Sequence, residues 1–143
     1  MDVPFKRLDP DAELPATAHP GDAGLDLRAA IDVEVGPGER VLVPTGIAVA
    51  IPEGHAGLVL PRSGLASKHG LTMANAPGLI DAGYRGEVVC AVVNLDREHP
   101  VKLHRGDRIA QLVIVAVPEV RPAWVDELPP SFRGEGGFGS TGA

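Results

Sequence analysis

The chain has 143 residues, 44% hydrophobic and 22% charged, a size and balance that fit one globular domain with its own core and exclude a disordered or membrane-spanning chain. Its formal net charge of −6 argues against a nucleic-acid backbone as the main partner, since such binding draws on many Lys and Arg contacts from a basic face. An anionic ligand must then be held by a local cluster of cations.

No apolar run approaches the roughly 18 residues of a membrane helix, and Met1-Asp-Val-Pro-Phe-Lys6 lacks the pattern of a secretion signal. A cytoplasmic protein with no membrane partner is expected. Cys90 is the single cysteine, which excludes an intrachain disulfide, and it lies in an apolar run with nothing ionising beside it. It suits a small core residue better than a nucleophile. The five histidines, at 19, 55, 69, 99 and 104, include no pair three or four apart, so a zinc site built by the protein is not expected.

In chain order, Gly- and Pro-rich punctuation separates short β-branched runs at residues 25–29, 31–35, 41–43, 47–51, 57–60, 88–95, 101–104 and 109–117, all of which read as strands. Helical signal is confined to residues 63–69, and there is no internal repeat. This pattern predicts an all-β sandwich or barrel, with the jelly roll as its form. The runs 88–93 and 109–117 are apolar at odd and even positions alike, which predicts cover on both faces. The cover is either a second copy of the chain, making a homo-oligomer, or the middle of a single sandwich; the first is expected.

The stretch Gly78-Leu-Ile-Asp-Ala-Gly-Tyr-Arg-Gly86 sets Asp81 and Tyr84 among small residues just before the apolar run, which is hairpin composition. Its glycines are expected to supply positive φ and close backbone approach. Asp81 is either a turn aspartate bonding its own backbone or a reactive carboxylate. Aromatics are sparse, and three of the five (Trp124, Phe132 and Phe138) fall in the last 20 residues. Tyr84 and Phe138 are therefore candidates for stacking on a planar ligand as well as for packing. In Pro61-Arg-Ser-Gly-Leu-Ala66 a strand gives way to the helix, and Ser63 reads as the helix N-cap or, with Arg62, as an anion contact. Gln111 is the one uncharged polar residue in an otherwise apolar run, so it should face a polar cavity or a satisfied network. The tail Arg133-Gly-Glu-Gly-Gly-Phe-Gly-Ser-Thr-Gly142 holds five glycines in ten residues. It reads as a mobile lid over an anion or as a plain flexible tail, and it lacks the Gly-Lys-Ser/Thr ending of a P-loop.

Taken together with Asp22-Ala-Gly-Leu-Asp-Leu-Arg-Ala29 and Arg105-Gly-Asp-Arg-Ile-Ala-Gln-Leu112, these stretches resemble the five ordered motifs of the trimeric dUTPase family, from residue 22 to 142. The resemblance implies a jelly-roll domain over residues 1–132 and a flexible arm, residues 133–143, closing over the active site. It implies a homotrimer with sites shared between subunits, and hydrolysis of dUTP to dUMP and pyrophosphate with Mg²⁺. Such an activity keeps uracil out of DNA and supplies dUMP for dTMP synthesis. Residue by residue, Asp81 matches the general base and Tyr84 the residue under the deoxyribose. Asn75, Leu79 and Ile80 match the uracil-binding hairpin, to which the backbone at Val89 adds. Arg62, Ser63 and Gly64 match phosphate ligands, and Gln111 a contact to phosphates and ordered water. Arg133, Phe138, Gly139, Ser140 and Thr141 match the arm, with Phe138 over the base and Arg133 on the γ-phosphate. Asp26 matches a carboxylate supporting the metal's water shell or the phosphate network, and no direct protein ligand to Mg²⁺ is implied. Two alternatives differ in class. One is a dCTP deaminase, alone or bifunctional, although its catalytic Gly-x-x-Thr-Leu-Glu setting reads Gly86-Glu-Val-Val-Cys-Ala91 here. The other is a non-catalytic oligomer that senses a nucleotide.

Overall fold

In a computed structural model, which describes residues 1–137, ten strands and one short helix follow in the order β1 (Phe5–Arg7), β2 (Leu25–Arg28), β3 (Val33–Val35), β4 (Arg40–Val49), β5 (His55–Pro61), α1 (Ser63–His69), β6 (Leu71–Met73), β7 (Gly78–Ile80), β8 (Glu87–Asn94), β9 (Val101–Leu103) and β10 (Arg108–Ala116). All pairings are antiparallel. They build one sheet of order β1-β4-β8-β6, a second of order β2-β10-β5-β7, and a ribbon of β3 and β9. The fold is a jelly-roll β-sandwich with one short helix, as the strand spacing predicts.

Alternation decides what each strand buries. Val88, Cys90 and Val92 of β8 point inward against Val43 and Val49 of β4, and meet Leu27, Val59 and Leu112 of the other sheet in a single aliphatic cluster. Burial pushes the Cys90 thiol up to about 12. Asn94 is fully buried but satisfied: its Nδ2 donates to Val35 O and His99 O, and its Oδ1 accepts from Asp96 N, which fastens β8 to the ribbon.

Two expectations are corrected, and three short strands are added. Residues 41–43 and 47–51 are not two strands, because β4 runs through Pro44 and Gly46 by a register jump between Pro44 and Ala48. Gly46 takes φ +70 there, and a Cβ on it would come 2.6 Å from the Asp9 side chain, so the punctuation marks a bulge rather than a break. β1, β6 and β7, three residues each, lie outside the runs that read as strands in the sequence. Ser63 is not the helix N-cap: Arg62 holds that position with extended φ and ψ and no side-chain cap bond. β8 and β10 are central in their sheets, and their outer faces are only partly covered within one chain, with Val89 41% exposed.

The amino-terminal segment is tied down at the same bulge. Leu8 and Asp9 donate their N–H groups to Gly46 O, and Arg105 Nη2 lies 2.8 Å from Asp9 Oδ2. That guanidinium, with the Asp11 N–H, holds the Asp9 carboxyl below the usual carboxylate range. At its other end α1 stops on Gly70, whose φ of 67° lets its N–H return to Ala66 O, and where a Cβ would sit 2.8 Å from Asp96 N.

Candidate active site

β7 turns into β8 through residues 81–86, but the hairpin expected here is not formed: β7 pairs with β5 and β8 with β4 and β6, so the turn passes from one sheet to the other. Tyr84 N donates to Asp81 O at 3.0 Å, Arg85 Nη1 to Ala82 O at 2.6 Å, and the Tyr84 hydroxyl to Glu87 O at 2.9 Å. Positive φ plays no part, contrary to expectation: Gly78, Gly83 and Gly86 all lie outside that region. Gly86 is needed for contact instead, since a Cβ there would come 2.6 Å from Tyr84 Cζ. The Tyr84 ring thus lies over Gly86 with its hydroxyl anchored, and remains 45% exposed.

Beside this turn is a cavity of about 190 Å³ lined by Asn75, Gly78, Leu79, Ile80, Asp81, Tyr84 and Val89, with Val59, Met73, Glu87 and Val88 completing its wall. β7 is an edge strand, paired only with β5, so its main chain keeps donor and acceptor groups on the free side. Asp81 is exposed, and among the described residues nothing hydrogen-bonds its carboxylate. A turn-stabilising aspartate would bond its own backbone; here the Tyr84 N–H and the side chains of Tyr84 and Arg85 close the turn, and the Asp81 carboxylate stays exposed.

A second opening lies on the outer face of the other sheet. Register aligns Asp26 of β2, Gln111 of β10 and Leu60 of β5, so their side chains share one face. They line a groove of about 470 Å³ together with Gly24, Arg62, Ser63 and Gly64. Gln111 Nε2 donates to Pro61 O at 3.2 Å, and its amide lies against Gly24, where a Cβ would come 3.1 Å from Gln111 Cδ. Gln111 therefore meets the polar setting expected of it. Asp26 accepts two cations: its Oδ1 is 3.4 Å from Arg62 Nε and its Oδ2 3.1 Å from Arg108 Nη1. Asp22 also lines the groove, while Arg108 lines the adjoining opening that Arg62 shares, so the two guanidiniums offset the two carboxylates and Arg62 is the cation the groove presents.

The expected residues thus gather into two groups. Asn75, Leu79, Ile80, Asp81, Tyr84 and Val89 share the cavity, while Asp26, Arg62, Ser63, Gly64 and Gln111 share the groove. One chain does not join them, because Val59 lines the cavity and its neighbour Leu60 the groove, and successive residues of a strand point to opposite faces. Arg133 belongs to neither opening; its Nε donates to Gly136 O within its own loop. Phe138, Gly139, Ser140 and Thr141 lie outside the described residues. Sequence reasoning missed Arg108, which reaches Asp26, and Glu87 and Met73, which wall the cavity.

The dUTPase family model matches residues 10–142. The deoxyuridine 5'-triphosphate nucleotidohydrolase of Thermobifida fusca (strain YX) is 61% identical over 140 residues, covering 98% of this chain and 78% of that relative. The one from Streptomyces coelicolor is 58% identical over 142 residues, 99% and 78% of the two chains. Among solved structures, a mutant dUTPase of Staphylococcus bacteriophage 80alpha with dUpNHpp superposes with a TM-score of 0.92 at 33% identity, covering 99% of each chain. A mutant dUTPase from phage phi11 of S. aureus, described with a structural Mg(II) ion, superposes with a TM-score of 0.84 at 30% identity over 91% of this chain and all of that one. With the family model spanning nearly its whole length and relatives of this identity covering almost all of it, the chain belongs to the dUTPase family.

Proposed function

We propose that this chain hydrolyses dUTP to dUMP and pyrophosphate, with Asp81 as the base that activates the water attacking the α-phosphorus. The observation that carries the proposal is the unbonded, solvent-facing Asp81 carboxylate at a cavity walled by an edge strand. A pyrimidine ring entering that cavity meets the free main-chain groups of β7 and the side chain of Asn75. Tyr84, held over Gly86, packs under the deoxyribose and leaves no room for a 2′-hydroxyl. The groove with Arg62, Ser63, Gly64 and Gln111 takes the phosphate chain. Positioning and charge neutralisation are what phosphoryl-type transfer mainly requires, and one base with the Arg62 guanidinium and the polar groups of the groove supplies the protein's share of both.

Magnesium fits this site as a companion of the substrate. No three His, Cys, Asp or Glu side chains converge among the described residues, and Asp26 is already taken by two arginines. Mg²⁺ commonly keeps several waters and binds through substrate phosphates, and its chemistry there is to draw charge off the phosphates.

The working form we infer is a homotrimer with shared active sites. The opposed directions of cavity and groove support it, as do Leu42, Leu79 and Val89, apolar residues exposed on the strands of one chain. Residues 133–143, carrying Arg133, Phe138, Gly139, Ser140 and Thr141, close over the bound nucleotide as an arm on the domain formed by residues 1–132. Such an enzyme acts in the cytoplasm, keeping uracil out of DNA and providing dUMP for dTMP synthesis; no helix among the described residues is long and apolar enough to cross a membrane.

The test offers each common ribo- and deoxyribonucleoside triphosphate with Mg²⁺ and assays pyrophosphate and ammonia together. Pyrophosphate from dUTP alone is expected. Ammonia from dCTP would point to a deaminase, and nucleotide binding without turnover would overturn the enzymatic reading.

A further inference from the structure

Arg62, the groove's cation, is fixed at two of its nitrogens. Nε pairs with Asp26 Oδ1 at 3.4 Å, and Nη1 donates to the main-chain oxygen of Arg108 at 3.3 Å. The other Asp26 oxygen takes Arg108 Nη1 at 3.1 Å. Arg108 therefore reaches Arg62 by two routes, one through its own carbonyl and one through the Asp26 carboxylate.

A bulge makes this geometry available. Arg108 opposes Arg28 and Ala110 opposes Leu27, so Ile109 is an extra residue in the ladder. Arg108 and Gln111, three apart, would otherwise point to opposite faces; the bulge brings Arg108 to the face of Asp26 and Gln111. Stability is not the main product of the arrangement, because the side chains of Arg108 and Arg62 are 41% and 29% exposed and such pairs contribute little. Direction is. Ordering an arginine removes rotamer freedom, and an arginine ordered in advance binds an anion without that loss. Asp26 also leaves a net positive charge on the pair, so it orders the cations without cancelling them.

We propose that Arg108 is a positioning residue for phosphate binding, acting through Asp26 and through its own carbonyl to keep Arg62 aimed into the groove. The inference rests on the dUTP reading and divides its labour: Arg62 touches the phosphates, while Asp26 and Arg108 touch Arg62.

The test compares wild type, Arg108→Ala, Arg62→Ala and the double variant, measuring kcat and KM for dUTP and affinity for a non-hydrolysable dUTP analogue and for deoxyuridine, which has no phosphate. Arg108→Ala should raise KM and weaken the analogue about tenfold, the scale of coupling inside one salt-bridge network, with a smaller change in kcat and none in deoxyuridine affinity. The double variant should be no worse than Arg62→Ala, and Arg108→Lys should recover part of the loss. If Arg108→Ala fails to fold, Arg108→Gln, which keeps part of the aliphatic stem while removing the charge and like alanine retains the main-chain carbonyl, takes its place in the same comparison. Wild-type KM and analogue affinity in the folded variant, or penalties that simply add in the double variant, would overturn the inference alone. A wild type that neither binds the analogue nor turns over dUTP would overturn the dUTP reading, and the inference with it.

Discussion

In the cavity half of the site the turn after β7 is closed by a main-chain bond, by the Arg85 side chain on two carbonyls and by a tyrosine ring seated on a glycine, whereas in the groove half Asp26, Arg62 and Arg108 hold one another by charge. The first kind of construction is indifferent to ionic strength and hard to disturb except by adding bulk. The second is screened by salt and fails when one partner is removed. A ligand with a flat neutral ring at one end and a charged chain at the other is matched by that difference.

The sharpest break separates the halves onto different chains. Asp81→Asn is nearly isosteric and should keep the fold and nucleotide binding while lowering kcat by about 10²–10⁴, the usual cost of losing a general base. Refolded together with Arg62→Ala, it should form mixed oligomers in which some sites combine an intact Asp81 with an intact Arg62, so that activity returns and peaks near equal proportions. Mixed oligomers demonstrated by mass but without recovered turnover would mean that one chain supplies both halves.

A smaller effect probes the cavity half alone. Gly86→Ala pushes a methyl into the Tyr84 ring, which should shift the ring, cost about ten- to a hundredfold in kcat/KM for dUTP and narrow the preference for dUTP over UTP. An unchanged dUTP/UTP ratio would show that the ring does not select the sugar. The smallest effect belongs to the groove: raising ionic strength about tenfold shortens the screening length about threefold and should weaken the triphosphate analogue several-fold while leaving deoxyuridine affinity unchanged. Equal salt sensitivity of the two ligands would erase the contrast between the halves.

Much of the sandwich was legible because its long strands are β-branched, apolar runs bounded by glycine and proline, although in residues 88–93 both parities are apolar and only the structure shows that Val88, Cys90 and Val92 face inward. What stayed hidden was local parity. Gly46 and Pro44 looked like the end of a strand because a sequence does not distinguish a bulge from a turn when both use the same residues. Arg108 was missed for a related reason: counting by twos from Gln111 assigns it to the wrong face, and the extra residue at Ile109 reverses the count. The site motifs were legible as charges and glycines near strand ends. Their division into two openings was not, since it depends on the two faces of β5 at Val59 and Leu60.

Cys90 gives the chain a built-in clock. Its thiol is fully buried at the centre of the sandwich, with its acidity suppressed, and it is the only sulfhydryl in the molecule. An alkylating reagent cannot reach it, nor find the reactive thiolate, until β8 comes away from its neighbours. The rate of modification in native buffer therefore reads how often the core itself opens, without an added probe or an engineered label, and ligands that bind the closed molecule should slow it in proportion to their occupancy.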